Sequence, residues 1–225
     1  MNNMNSIDNN AIILSSSDED ISKAVRYLQT GKLVAIPTET VYGLGANAYD
    51  EKAVKSIFTA KGRPLTDPLI VHVTDVVAAL KLVDICENEA KMFTLLADAF
   101  WPGPLTVITK AVSVLPPCIT AGTGFVGIRV PNHSIAQKIL NASQLPIAAP
   151  SANRFGHVSP TKASHVFDDL GISRGVAAIV SGDDGDSMET CEHGIESTVM
   201  KLDYTNRSLK VFRKGAVTMQ QLEAL

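Results

Sequence analysis

The stretch ISKAVRYLQTGKLVAIP, Ile21–Pro37, carries a helix and a strand end to end. Ile21, Ala24, Val25 and Leu28 recur at helical spacing, and Gly31 follows where a left-handed residue stops a helix. Leu33–Ile36 is then an apolar run bounded by Gly and Pro, which reads as a buried strand. Upstream, Ser16 with Glu19, or Ser17 with Asp20, has the spacing of a capping box. A helix passing at once into a buried strand is the working unit of an α/β domain.

The same alternation runs through the rest of the chain. Asp50 caps a helix through about Ala60, and Leu69–Val73 reads as a strand. Two helical patterns cover residues 75–99, and Leu105–Thr109 and Val126–Val130 read as strands. Asn132 opens a short helix, and Pro146–Ala149 is a strand leading into Pro150-Ser151-Ala152-Asn153. Ser159-Pro160 is an N-cap and first-turn pair for a helix to about Leu170. Ala177–Val180, Ser197–Leu202 and Leu209–Phe212 complete the strands. No repeat or linker interrupts the pattern, so residues 11–225 read as one α/β domain on a twisted sheet, after a polar, mobile tail over 1–10.

Composition narrows the function classes. Of 225 residues, 45% are hydrophobic and 19% charged, which excludes a disordered chain. Twenty basic against 23 acidic residues leave a net charge of −3, a poor balance for binding driven by a nucleic-acid backbone, although a local basic pocket is compatible with it. Three widely spaced cysteines form no C-x-x-C pair and read as buried thiols of a reducing compartment. The first residues have neither the basic nor the apolar segment of a secretory signal, and no apolar run is long enough to span a bilayer, so a cytoplasmic location is expected.

Ordinary periodicity fails at a few places. Pro37–Ala48 sets two hydroxyls, a carboxylate, a phenol and two glycines after a strand, where open α/β sheets place ligands; a polar turning loop is the equal alternative. Its Gly43-x-Gly45-x-x-Ala48 is a poor dinucleotide fingerprint, because Pro37–Tyr42 separates it from the strand. Lys61 and Arg63, braced by Pro64 and Pro68, read as a rigid cationic corner suited to polyphosphate, against the alternative of a helix C-terminal charge complement. His72, alone in a strand, fits a core histidine better than a ligand or base. Arg129 inside an apolar strand must be paired or face a ligand, and both readings stand. Ser151 and Asn153 orient an anion or make a plain turn. The acidic run Asp183-Asp184-Gly185-Asp186 does not fit a calcium loop. There is no Walker A motif, no H-E-x-x-H and no nucleophile elbow.

Together these segments resemble the YrdC-like family, the threonylcarbamoyl-AMP synthases of tRNA modification. The match runs from about Ile12 to Gly215 through PTETVYGLGANA, KGRP-x-x-DPLIVH, WPGPLT, VGIRVPNH, APSANRFGHVSPT, GIESTV and FRKG in order. Any one is weak, but the seven in sequence are highly specific. The resemblance implies the short, single-domain form, with a twisted mixed sheet and helices around a concave, positively charged cavity. It implies a reaction joining L-threonine, bicarbonate and ATP, with Mg²⁺, into threonylcarbamoyl-AMP and pyrophosphate. The product would serve a downstream tRNA threonylcarbamoyl transferase, with at most a transient tRNA contact and no membrane.

Carried over by motif, Lys61, Arg63, Ser151 and Asn153 look like the catalytic tetrad. Arg63, Ser151 and Asn153 would hold ATP phosphates and Lys61 would neutralise charge. Thr40, His72 and Arg129 look like the threonine side, with Arg129 facing the carboxylate and Ser197 or Thr198 completing the pocket. Asp67, Ser159 and Arg213 fall on the ATP side. No residue is expected to bind a metal directly. Two positions depart from the family: Asp67 stands where many members have Asn, and a carboxylate cannot donate to phosphate. Lys214 stands where many have Pro. An RNA-binding module using the same cavity, or a carbamoyl or acyl transferase acting on another substrate, are the competing functions.

Overall fold

The computed structural model describes residues 10–182, 191–203 and 208–224. Nearly all of the expected tail and the acidic run Asp183–Asp186 lie outside them. Ser17 opens the first helix, α1 (Asp18–Gln29), its hydroxyl accepting from Asp20 N, so the second candidate cap is the one used. Gly31, at φ 76°, turns the chain into β2 (Leu33–Ile36), and β1 (Ile12–Leu14) precedes the helix. Successive residues of β2 enter opposite cores. Leu33 and Ala35 belong to the core that also takes the inner faces of α2 (Glu51–Lys61), α4 (Glu87–Phe100) and α6 (Ala163–Leu170). Val34 and Ile36 pack with α1 and α5 (Ser134–Ser143). A strand covered on both faces has no polar positions to alternate, which is why four apolar residues run together.

The remaining strands are β3 (Gly43–Asn47), β4 (Ile70–His72), β5 (Leu105–Lys110), β6 (Phe125–Arg129), β7 (Ile147–Ala148), β8 (Val176–Val180), β9 (Thr198–Asp203) and β10 (Ser208–Arg213). They form one mixed sheet in the order β1-β8-β2-β3-β7-β4-β6-β5-β9-β10. Two short helices, α3 (Val76–Leu80) and α7 (Met219–Glu223), complete the described elements. No described helix is long and apolar enough to cross a membrane.

Two elements differ from expectation. Gly43–Asn47 is a strand rather than the far end of a loop, antiparallel to both β2 and β7. Its glycines fit closely: a Cβ on Gly45 would lie 2.9 Å from Ile147 Cγ2 and 3.1 Å from the Val34 carbonyl. The small residues that looked like turn chemistry are needed for that backbone approach. The sixth helix begins at Ala163, not at Ser159-Pro160. Both capping groups are engaged elsewhere, Ser159 Oγ donating to Glu196 and the Pro160 carbonyl accepting from Tyr42 N.

Register positions the chemistry. Parallel pairing of β4 with β6 sets His72 beside Arg129. Parallel pairing of β5 with β9, and antiparallel pairing of β9 with β10, carry the sheet on to Lys201 and Arg213. An irregularity between Val211 and Arg213 breaks the two-residue alternation there, so Phe212 and Arg213 face the same hollow.

Candidate active site

The hollow has a volume of about 460 Å³. Of the twelve residues singled out in the sequence, it gathers eight on its wall: Thr40, Arg63, Asp67, His72, Arg129, Ser151, Ser197 and Arg213. Lys61, Asn153, Ser159 and Thr198 do not line it. The unassigned Glu196, Lys201 and Phe212 do, and Lys201 Nζ lies 3.2 Å over the Phe125 ring. A protein of net charge −3 thus concentrates three arginines and a lysine in one place.

One wall is built on the β2–β3 turn. Thr38 Oγ1 donates to the Val41 carbonyl at 2.7 Å and accepts from Thr40 N, which knits the turn and presents Glu39 and Thr40 to β6. Arg129 Nη2 lies 2.7 Å from Glu39 Oε1 and donates to Thr40 Oγ1 at 3.0 Å. Arg129 is thus ion-paired and also lines the cavity. His72 beside it is buried, and burial first, then the Arg129 charge, push its imidazole down to about 3, so it is neutral at physiological pH.

On another wall, Gly62 caps α2 in the left-handed conformation and starts the Pro-braced corner. Arg63 points into the hollow. Its Nη2 lies 2.9 Å from Asp67 Oδ2 and donates to the Pro68 carbonyl at 2.9 Å. Lys61 points the other way. Its Nζ donates to the carbonyls of Ser151 and Asn153, bracing the turn that carries Ser151 to the wall. Burial, then Arg63, pull the Lys61 ammonium down to about 7. In this structure the Lys61 ammonium is tied to those two carbonyls, behind the wall that Ser151 lines. Asn153 likewise braces its own loop, Nδ2 donating to the carbonyls of Arg154 and His157.

The C-terminal strands supply a third wall. Arg213 donates through Nε to the Ser197 carbonyl at 3.0 Å and through Nη2 to Ser197 Oγ at 3.1 Å. Ser197 Oγ is also 2.8 Å from Thr106 Oγ1. Thr198 faces away: its hydroxyl donates to the Val217 carbonyl and accepts from Gly215 N, so it anchors the chain behind the wall. Burial first, then repulsion by Arg129 and Arg63, lower Arg213 against the opposing pull of Glu196. Three arginines that feel one another this way form a site that a bound anion would relieve.

Among the described residues, the buried side-chain atoms with neither a hydrogen-bond partner nor an ion pair are Glu39 Oε2, His72 Nδ1, Arg129 Nε and Asn153 Oδ1; Glu39 Oε1 has the Arg129 charge beside it. Buried polar atoms are normally satisfied. His72 and Arg129 line the cavity, Glu39 lies between the lining residues Thr38 and Thr40, and Asn153 stands two residues after the lining Ser151, so most of the unmet demand is at this site.

Sequence reasoning passed over Glu39 and Glu196. Both stand inside quoted motifs, but nothing in their spacing says which cation or hydroxyl they meet. Phe212 was hidden because strand alternation turns it away from Arg213, and only the irregularity of β10 brings it round.

Comparison with known proteins agrees with this geometry. The Sua5/YciO/YrdC family model, described as "Telomere recombination", matches residues 26–215. The chain is 44% identical over 200 residues to the threonylcarbamoyl-AMP synthase of Pyrococcus abyssi, covering 89% of this chain and 55% of that one. It is 44% identical over 213 residues to the enzyme of that name from Bacillus subtilis, covering 94% and 58%. It thus spans a little over half the length of these curated relatives. The solved structure of P. abyssi Sua5 complexed with L-threonine superposes with a TM-score of 0.83 at 42% identity, covering 95% of this chain and 60% of that one. With its fold, its motifs and the greater part of its length matched together, this chain belongs to the Sua5/YciO/YrdC family.

Proposed function

We propose that this chain is an L-threonylcarbamoyladenylate synthase, using L-threonine, bicarbonate and ATP to make threonylcarbamoyl-AMP and pyrophosphate. The observation that carries this reading is the convergence of Arg129, Arg63 and Arg213 on one hollow from three separate parts of the chain. The names of the relatives, and the threonine complex of P. abyssi Sua5, support it.

The chemistry needs such a site. The threonine amine adds to bicarbonate with loss of water to give a carbamate. A carbamate oxygen then attacks the α-phosphorus of ATP, and pyrophosphate leaves. The reactants are anions that repel one another, so a preorganised cationic enclosure is the main catalytic device. Arg129, with Thr40 and the neutral His72, takes the threonine carboxylate. Arg63, Ser151 and Arg213 take the phosphates. Holding the carbamate in line contributes on the order of 7–11 kcal/mol when alignment is ideal. Attack by the carbamate oxygen itself forms the new bond to phosphorus, so the reaction needs no covalent enzyme intermediate.

Among the described residues, no three His, Cys, Asp or Glu side chains converge to hold a metal ion. Mg²⁺ bound with the nucleotide would offset charge on the leaving pyrophosphate, and Asp67 and Glu196 are the carboxylates on the cavity wall that could face it. The product would pass to a tRNA threonylcarbamoyl transferase, and a cytoplasmic enzyme fits that role.

The test is pyrophosphate release from ATP, measured with threonine and bicarbonate each omitted in turn. Release that needs both, and that falls at least tenfold in Arg63→Ala, supports the reading. Release indifferent to threonine overturns it.

A further inference from the structure

The geometry points to Asp67 as the residue that sets nucleotide affinity in this chain, by acting as an internal anion on the arginine that the phosphates must use. The inference rests on the proposed nucleotide site.

Arg63 Nε donates to the Asp67 carbonyl at 3.3 Å, Nη2 donates to the Pro68 carbonyl, and Nη2 also faces Asp67 Oδ2 at 2.9 Å. One edge of the guanidinium fork, the Nε and Nη2 side that could grip a phosphate with two parallel bonds, is thus occupied by the loop itself. The Arg63 side chain is 16% exposed, whereas that of Asp67 is 41% exposed, and both line the hollow. A polyphosphate entering there must displace the carboxylate or share the arginine with it, while facing its negative charge. The loop does not depend on the carboxylate for its shape: Pro64 and Pro68 brace it, and Asp67 N donates to the Pro64 carbonyl at 3.1 Å. Asparagine in that place keeps the size and an accepting oxygen, removes the competing charge and adds a donor.

Binding of ATP, and separately of inorganic tripolyphosphate, is measured by calorimetry for the wild type, Asp67→Asn, Arg63→Ala and the double variant, at two salt concentrations and with matched thermal melting. The expected result is that Asp67→Asn binds both ligands about three- to tenfold tighter, the scale of one partly exposed ion pair plus relieved repulsion. The gain shrinks at high salt and is largely lost on the Arg63→Ala background. A gain for tripolyphosphate in a protein that makes no threonylcarbamoyl-AMP upholds the inference and overturns the proposed function. Equal or weaker binding by Asp67→Asn overturns the inference, because Asp67 then positions Arg63 instead of competing for it. Binding of neither ligand by any form overturns both.

Discussion

Arg129 Nη2 lies 2.7 Å from Glu39 Oε1, and the two side chains are 5% and 4% exposed. The Glu39 carboxylate holds Arg129 and leaves it uncompensated if removed. Glu39→Ala should lower stability by about 3–5 kcal/mol, since it strands a buried guanidinium. Joint replacement with Glu39→Leu and Arg129→Met should recover much of that loss while threonine-dependent turnover stays absent. Urea unfolding beside the pyrophosphate assay separates the two effects.

Lys61 gives a pH signature in stability. Its ammonium is pulled below the ordinary 10.5 to about 7 in the folded protein, so the unfolded chain binds the extra proton between these values. The contribution of this group is fully present above 10.5 and fades as pH falls towards 7. Relative to Lys61→Met, the wild type should therefore gain stability as pH rises from 7 to 9. Denaturation midpoints of both proteins across that range supply the check, and a flat difference would rule the shift out.

His72 behaves in the same sense at lower pH. With its imidazole pushed from 6.5 to about 3, the stability it contributes is complete above 6.5 and declines through the acid range as the unfolded chain takes up the proton. Its ring resonances should show no protonation step between pH 8 and 4.5 in a two-dimensional NMR titration. A midpoint near 6.5 would contradict the neutral assignment.

Gly215 closes the third wall from behind. A Cβ there would fall on the Glu196 carbonyl and within 2.6 Å of Thr198 N. Gly215→Ala must push the backbone that presents Ser197 and, through it, Arg213. Turnover should drop at least tenfold, with a stability loss of roughly 1–3 kcal/mol from the steric conflict. Steady-state kinetics on a variant confirmed to be folded would test it.

How far the sequence reaches is clear from particular residues. The β2 run was legible because a strand buried on both faces needs only apolar side chains, and α1 and α2 because their caps and stops are local chemistry. The β3 strand was not, since Gly43 and Gly45 answer to Ala149 and Ile147, far away in sequence. The eight wall residues were found through family motifs, with charge and turn chemistry as support. The direction in which Lys61 points was beyond both: its acceptors are carbonyls about ninety residues downstream, and backbone carbonyls leave no mark in a residue pattern. The partner of Arg129 was hidden for a similar reason, because Glu39 reaches it only after β2 and β6 share a sheet.

The pairing of Leu105 with Thr198 has a consequence for synthesis. A chain growing from the ribosome holds Thr40, Arg63 and Arg129 well before the strands bearing Ser197 and Arg213 emerge. Until β9 slots between β5 and β10, the early half carries an unfinished basin, open to water along one side. Competence to grip substrate would then arrive late and abruptly, with the docking of the closing hairpin.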